Sequence, residues 1–141
     1  MVKGTMRAAA VLAVALLPVA CGDGPTSPSG LVDTEWRLAS VELPGAAPVT
    51  VTRPDRFTLR LGADGAASAL VVCNSCGGRY ELAGDRLTVS RLACTLAFCV
   101  TSEDAPALAS FPSLLEGASV AATDAAGLTI RSERGTLRFV R

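Results

Sequence analysis

From residue 31 onward, apolar side chains return at every second position along most of the chain. Trp36, Leu38 and Ser40 fall on one face of an extended segment with Arg37 and Ala39 on the other, and Phe57, Leu59 and Leu61 alternate with Arg56, Thr58 and Arg60. A period of two marks a strand with one buried face. The same pattern predicts strands at 67–72, 79–82, 87–90, 119–123, 128–132 and 136–140, with a short extended piece at 49–52 inside the loop 44–54. Gly62-Ala63-Asp64-Gly65 and Ala83-Gly84-Asp85-Arg86 read as hairpin connections, where glycine supplies the tight turn. About eight short strands at this spacing predict a mainly β (α+β) domain, a small antiparallel curled sheet or barrel.

One segment breaks the rhythm. Ser102-Glu103-Asp104-Ala105-Pro106 puts acidic residues and proline where a helix starts, and Leu108, Phe111 and Leu115 follow at helical spacing before Gly117. One short helix is therefore expected near residues 104–116, its apolar stripe serving as a lid over an open barrel end. Pro112 inside it predicts a kink or two short turns, because its ring clashes with the carbonyl four residues back.

Composition adds the compartment. The chain has 141 residues, 50% hydrophobic and 18% charged, which suits one domain with one core and excludes a disordered polymer. Part of that apolar content lies at the N-terminus, where Lys3 and Arg7 precede ten small or apolar residues, 8–17, and then Leu17-Pro18-Val19-Ala20-Cys21. A run this short spans about half of a ~30 Å hydrocarbon core, so it reads as a signal peptide over 1–20 rather than a membrane span. The small residue followed by cysteine is similar to a lipoprotein signal, with Cys21 as the lipidation site, although Leu17 stands one place earlier than such signals usually have it. Residues 21–30, rich in Gly, Pro and Ser, read as a flexible tether to a domain at 31–141. The expected location is the cell envelope, lipid-anchored, at the outer membrane facing the periplasm if the source is Gram-negative.

Charge and missing residue types narrow the function. Loss of 1–20 takes two of the 13 basic residues and leaves 11 against 13 acidic ones, a net charge of about −2 that offers nucleic acid no basic face. The chain has no histidine, which removes Ser-His and Cys-His nucleophiles and every histidine-containing zinc site. No carboxylate pair or phosphate loop stands out, so no catalytic residue, metal or cofactor is assigned. Arg56, Arg60, Arg131 and Arg138 are read as a solvated strand face rather than an anion site. The expected partners are the membrane, through the lipid anchor, and an envelope protein or small ligand of unknown identity.

The remaining chemistry lies in Cys73, Cys76, Cys94 and Cys99. Their spacing fits two disulfides, a four-thiolate zinc ribbon, or a Cys73/Cys76 redox pair. An oxidising compartment favours disulfides. Extending the 83–86 hairpin outward sets Cys76 opposite Ala93, which makes Cys94 its nearest sulfur, and a bulge at Gly77-Gly78 is expected to bring the two onto one face. Cys73 is then left for Cys99. The local alternative, Cys73 with Cys76 and Cys94 with Cys99, stays open at this point.

Several of these residues together resemble a known family: Asp33-Thr34-Glu35-Trp36-Arg37-Leu38, then Cys73-Asn74 with Gly78-Arg79-Tyr80, Thr95 four residues before Cys99, and Gly127-Leu128-Thr129-Ile130. The pattern over 31–141 is similar to the META domain, the HslJ-like group of bacterial envelope lipoproteins, with Trp36, Cys73, Asn74, Gly78, Tyr80, Thr95 and Cys99 as motif positions. Cys76 and Cys94 depart from that pattern, as a pair. The resemblance implies a compact β-rich fold with a helix before the last strands, and an association with stress rather than a reaction. The expected function is a non-enzymatic cell-envelope lipoprotein domain with a binding or envelope-stress role. The alternatives are a thiol-disulfide redox protein using Cys73/Cys76 and an envelope protease inhibitor.

Overall fold

The period-two segments close into a barrel. The structure, a computed structural model, describes residues 27–100, 108 and 110–141; residues 1–20, Cys21 and the first part of the tether lie outside the described residues. The elements in chain order are β1 (Glu35–Glu42), β2 (Val49–Thr50), a 3-10 turn (Pro54–Arg56), β3 (Phe57–Leu61), β4 (Ala66–Val71), β5 (Asn74–Ala83), β6 (Arg86–Val89) and β7 (Ala93–Cys94), then α1 (Phe111–Leu115), β8 (Gly117–Thr123), β9 (Leu128–Ser132) and β10 (Gly135–Val140). Eight strands pair antiparallel in the order β1-β3-β4-β5-β6-β8-β9-β10, and β10 returns to β1. Closure leaves none of these eight as a full-length edge. The two short extra strands ride on this wall: β2 on β1, and β7 on β5.

Alternation fixes which side chains fill the barrel. Trp36, Phe57, Leu59, Ile130 and Phe139 point inward and are buried, and Trp36 donates its indole N–H to the Leu31 carbonyl at 3.0 Å. The Arg141 guanidinium lies 5.5 Å from the centre of the same ring, so the last residue and the segment that leads into β1 converge there. Phe111 of α1 reaches into the barrel from the other end, edge-on to Phe57 at 6.5 Å between ring centres and 6.0 Å from Phe139. With buried Leu108, Leu114 and Leu115 it covers that mouth as a lid.

Three sequence expectations need correction. Ser40 does not continue the inward face of Trp36 and Leu38. The register slips by one residue between Leu38 and Ser40 against β10, so Val41 is the next buried side chain. Of the helix expected near 104–116, the described residues show Leu108 as helical and a helix at Phe111–Leu115, with residues 101–107 and 109 outside the described set. Pro112 sits in the first turn of that helix, where no intrahelical N–H is required, and Ser110 forms a turn between it and the helical Leu108, the two-short-turn alternative rather than a kink. β5 starts at Asn74, five residues before the expected strand at 79, because Asn74 to Arg79 pair with Val71 to Ala66.

The last correction concerns the bulge. From the Tyr80–Val89 pair to the Gly77–Ala93 pair, β5 advances three residues while the facing chain advances four. The extra residue thus lies in Ser90-Arg91-Leu92, opposite the glycines rather than within them. Gly78 still matters, for a different reason: a Cβ there would stand 2.9 Å from both Leu92 Cδ2 and Ser90 Oγ and 3.1 Å from the Arg91 carbonyl oxygen. The bulged segment leans onto the bare backbone of Gly78, and the Ser90 hydroxyl accepts the Arg79 N–H at 2.9 Å.

The two glycines should therefore respond differently to alanine. Gly78→Ala is expected to lose about 1–3 kcal/mol through overpacking. Gly77→Ala, whose added Cβ would find nothing within 4 Å, should be neutral or up to about 1 kcal/mol more stable. Urea unfolding followed by Trp36 fluorescence reads both, and equal effects would contradict the assignment of the bulge.

Candidate functional site

The four cysteines meet at the end of the barrel covered by α1. β4 turns into β5 through Val72 and Cys73, and Val72 holds φ at 62°, a left-handed conformation that is an outlier for a β-branched residue. Strain of this kind costs on the order of 1–3 kcal/mol and persists only where the surroundings impose it. Here Val72 is buried, its N–H donates to the Arg56 carbonyl at 2.8 Å, and the next residue is tied through its sulfur. Cys73 and Cys99 have sulfurs 1.99 Å apart, and Cys76 and Cys94 have sulfurs 2.00 Å apart. The Cys76–Cys94 pair sits directly across the β5–β7 ladder with Cα atoms 4.0 Å apart, a juxtaposition that follows from the extra residue at 90–92.

Asn74 does the work of a strand partner for the segment that follows β7. Its Oδ1 accepts the Ala97 N–H at 2.7 Å and the Thr95 hydroxyl at 3.0 Å, while its Nδ2 donates to the Ala97 carbonyl at 3.1 Å and to the Cys99 sulfur at 3.3 Å. Thr95 adds two bonds to β5: its N–H donates to the Ser75 carbonyl at 3.0 Å and its hydroxyl accepts the Ser75 N–H at 3.1 Å. One amide side chain thus holds both polar groups of Ala97 as a neighbouring backbone would. Residues 95–100 consequently run on from β7 without a turn or bend.

Held in this way, the segment turns three large apolar side chains to solvent. Leu96 is 96% exposed, Phe98 97% and Val100 86%. Beside them a cleft of about 280 Å³ is lined by Val71, Val72, Cys76, Cys94, Cys99 and Pro112. Isolated exposed apolar residues are ordinary, but three at alternate positions on a segment tied down by sulfur and amide form a contiguous crest. The sequence pattern held a signal for it, since Leu92, Cys94, Leu96, Phe98 and Val100 keep a period of two beyond the last hairpin strand.

The other motif residues lie elsewhere. Trp36 is core, and Tyr80 sits towards the opposite barrel end, where its hydroxyl donates to the Gly62 carbonyl at 2.8 Å. Burial raises the Tyr80 pKa above the ordinary value, and the negative charges of Asp33 and Asp64 add to the shift. Arg60 faces Asp33 at 3.7 Å and Arg138 faces Glu42 at 3.5 Å, both exposed, while Arg131 and Arg138 line one shallow cleft on the β9–β10 face.

The motif positions Cys73, Asn74, Thr95 and Cys99 therefore form one clamp, and the META domain family model matches residues 29–141 of the chain. The chain belongs to the META domain family. As a fold, this META domain is similar to a protein from Burkholderia xenovorans solved by NMR, with a TM-score of 0.63, 23% identity and coverage of 97% of this chain and 98% of that one. A second NMR structure matches with a TM-score of 0.59 and 23% identity, covering 81% of this chain and 93% of the other. No curated protein matches the chain. Cys76 and Cys94, the cysteines that depart from the family pattern noted above, form the second sulfur pair of this META domain, one ladder step inside the clamp.

If Asn74 is the clamp, Asn74→Ala should free the 95–99 segment. The expected result is a loss of about 1–2 kcal/mol, within the range for a few partly exposed hydrogen bonds, and several-fold faster reduction of Cys73–Cys99 by dithiothreitol. The buried Cys76 should keep the other pair slow. Timed alkylation with mass spectrometry reads both sites, and an unchanged rate at Cys99 would contradict the role given to Asn74.

Proposed function

We propose that this META domain is a non-catalytic binding module of the cell envelope, and that it engages a polypeptide partner through Leu96, Phe98 and Val100. The exposed crest carries the reading: exposing three large apolar side chains is unfavourable in water, and the Asn74 and sulfur ties hold them there. Burying even one such side chain against a partner contributes about 1.5–3 kcal/mol. The redox alternative is not favoured, since Cys73 and Cys76 each pair with a distant cysteine rather than with one another. Nothing in the geometry favours a protease inhibitor. A setting of envelope stress, implied by the family resemblance, belongs to the same proposal.

Topology makes the crest useful to an anchored protein. The chain enters β1 at the barrel end that carries the 62–65, 84–85 and 124–127 connections, whereas the crest lies at the opposite end with α1. With Cys21 acylated, the eight residues to Ser29 reach at most on the order of 28 Å, and the crest points away from the anchoring membrane. A Cys21→Ser chain should then move from the membrane fraction to the soluble one on cell fractionation. Equal membrane association of parent and variant would contradict the anchor.

The crest itself is tested by photo-crosslinking in intact cells. A photoreactive residue at position 98 is expected to give discrete crosslinked products, while one at position 60, on the far end, gives none. Products from 60 and not from 98 would overturn the reading.

A further inference from the structure

Beyond the exposed side chains, the crest has an open backbone edge. Among the described residues β7 pairs with β5 alone, and the Thr95 N–H and both polar groups of Ala97 turn towards β5 and Asn74. The alternating residues Leu96 and Phe98 turn the other way, and among the described residues their N–H and C=O groups have no hydrogen-bond partner. Unpaired ladder groups on a straight segment are a template for another strand. Resting on the binding reading above, we propose that the partner is a second copy of this chain, joined by antiparallel pairing of the two 96–98 edges about a two-fold axis at Ala97.

The register follows from which groups are free. With the axis at Ala97, Leu96 of one copy faces Phe98 of the other, each such pair exchanges both N–H···O bonds, and all four outward groups of each edge are satisfied. Ala97 stands opposite Ala97 in the non-bonded position, which its inward bonds to Asn74 require. Leu96 then lies beside Phe98 across the ladder in both halves, an apolar-aromatic pair of the stabilising kind. No charged residue occurs from Leu92 to Ser102, so nothing on the edge repels its own copy. A lipid surface would cover the side chains and leave the backbone groups of Leu96 and Phe98 unpaired, which sets it below a strand.

The expected association is weak. Three crest side chains per copy bring roughly 500 Å² of surface, or about 1,000 Å² for the pair, at the lower limit for a specific interface. A dissociation constant of roughly 10–100 µM fits that size class. Lipid anchoring confines copies to one surface and raises their effective concentration.

The test is sedimentation equilibrium of residues 21–141 carrying Cys21→Ser, which retain every strand of the closed barrel, from about 1 to 500 µM. The expected result is a monomer–dimer equilibrium weakened at least ten-fold by Phe98→Pro, which removes an outward N–H and keeps Ala97 extended, and by Leu96→Lys, which sets a charge against Phe98 of the other copy. Arg60→Glu should leave it unchanged. Trp36 fluorescence and absence of free thiols establish that each variant is folded. A chain monomeric throughout, or a Phe98→Pro chain that dimerises like its parent, overturns the inference. A monomer that binds phosphatidylethanolamine–phosphatidylglycerol vesicles through Phe98 overturns it in favour of a membrane surface. If the chain is monomeric while position 98 still crosslinks to another protein in cells, only the second copy is lost; if neither occurs, the binding reading falls as well.

Discussion

The structure at the cysteine-bearing end depends on a one-residue slip between β6 and β7 along β5. Without the extra residue at 90–92, strict pleating would put Cys94 on the face opposite Cys76, and the chain would leave β5 in the wrong register for Thr95 to meet Ser75. With it, Cys94 comes to 4.0 Å Cα-to-Cα from Cys76, and the next residues fall under the Asn74 amide. Gly78 is part of the same device, because the bulge rests where any side chain would stand.

What the slip organises is costly to hold. Val72 keeps a strained φ, Asn74 spends its amide on the backbone of Ala97, and two sulfur pairs close loops of 26 and 18 residues in separation, all within one turn and one short segment. Closing loops of that size removes freedom from the unfolded chain. The barrel alone would not need these ties, since its wall is closed by backbone pairing and its mouth is filled by Phe111. Their combined effect is local: a straight, solvent-facing segment with its apolar side chains outward.

Much of this fold was legible in the sequence, and the failures have physical causes. Period-two patterning located the barrel strands, and the Gly84-Asp85 turn fixed the β5–β6 register from Ala83–Arg86 to Tyr80–Val89. Bulges were the weak point, because an inserted residue changes which face is buried without any change in composition: Ala39 moved the inward position from Ser40 to Val41, and Ser90-Arg91-Leu92 took the extra residue expected at Gly77-Gly78. The start of β5 was missed because Asn74, Ser75 and Gly77 are poor strand formers taken alone and pair only through β4. At the candidate site, the cysteines and the Asn74 and Thr95 motif positions were visible, but the crest was not, since exposure is a property of the folded chain and Leu96, Phe98 and Val100 look like core residues in isolation.

Amide hydrogen exchange of the monomeric chain at low concentration, resolved by NMR over residues 93–100, tests most directly whether the clamp holds an open edge. An alternating pattern is expected, with Thr95 and Ala97 protected by Ser75 and Asn74 and with Leu96 and Phe98 exchanging at close to the rate of an unstructured peptide. Uniformly fast exchange through the segment, or protection of Leu96 and Phe98 in the monomer, would contradict the account.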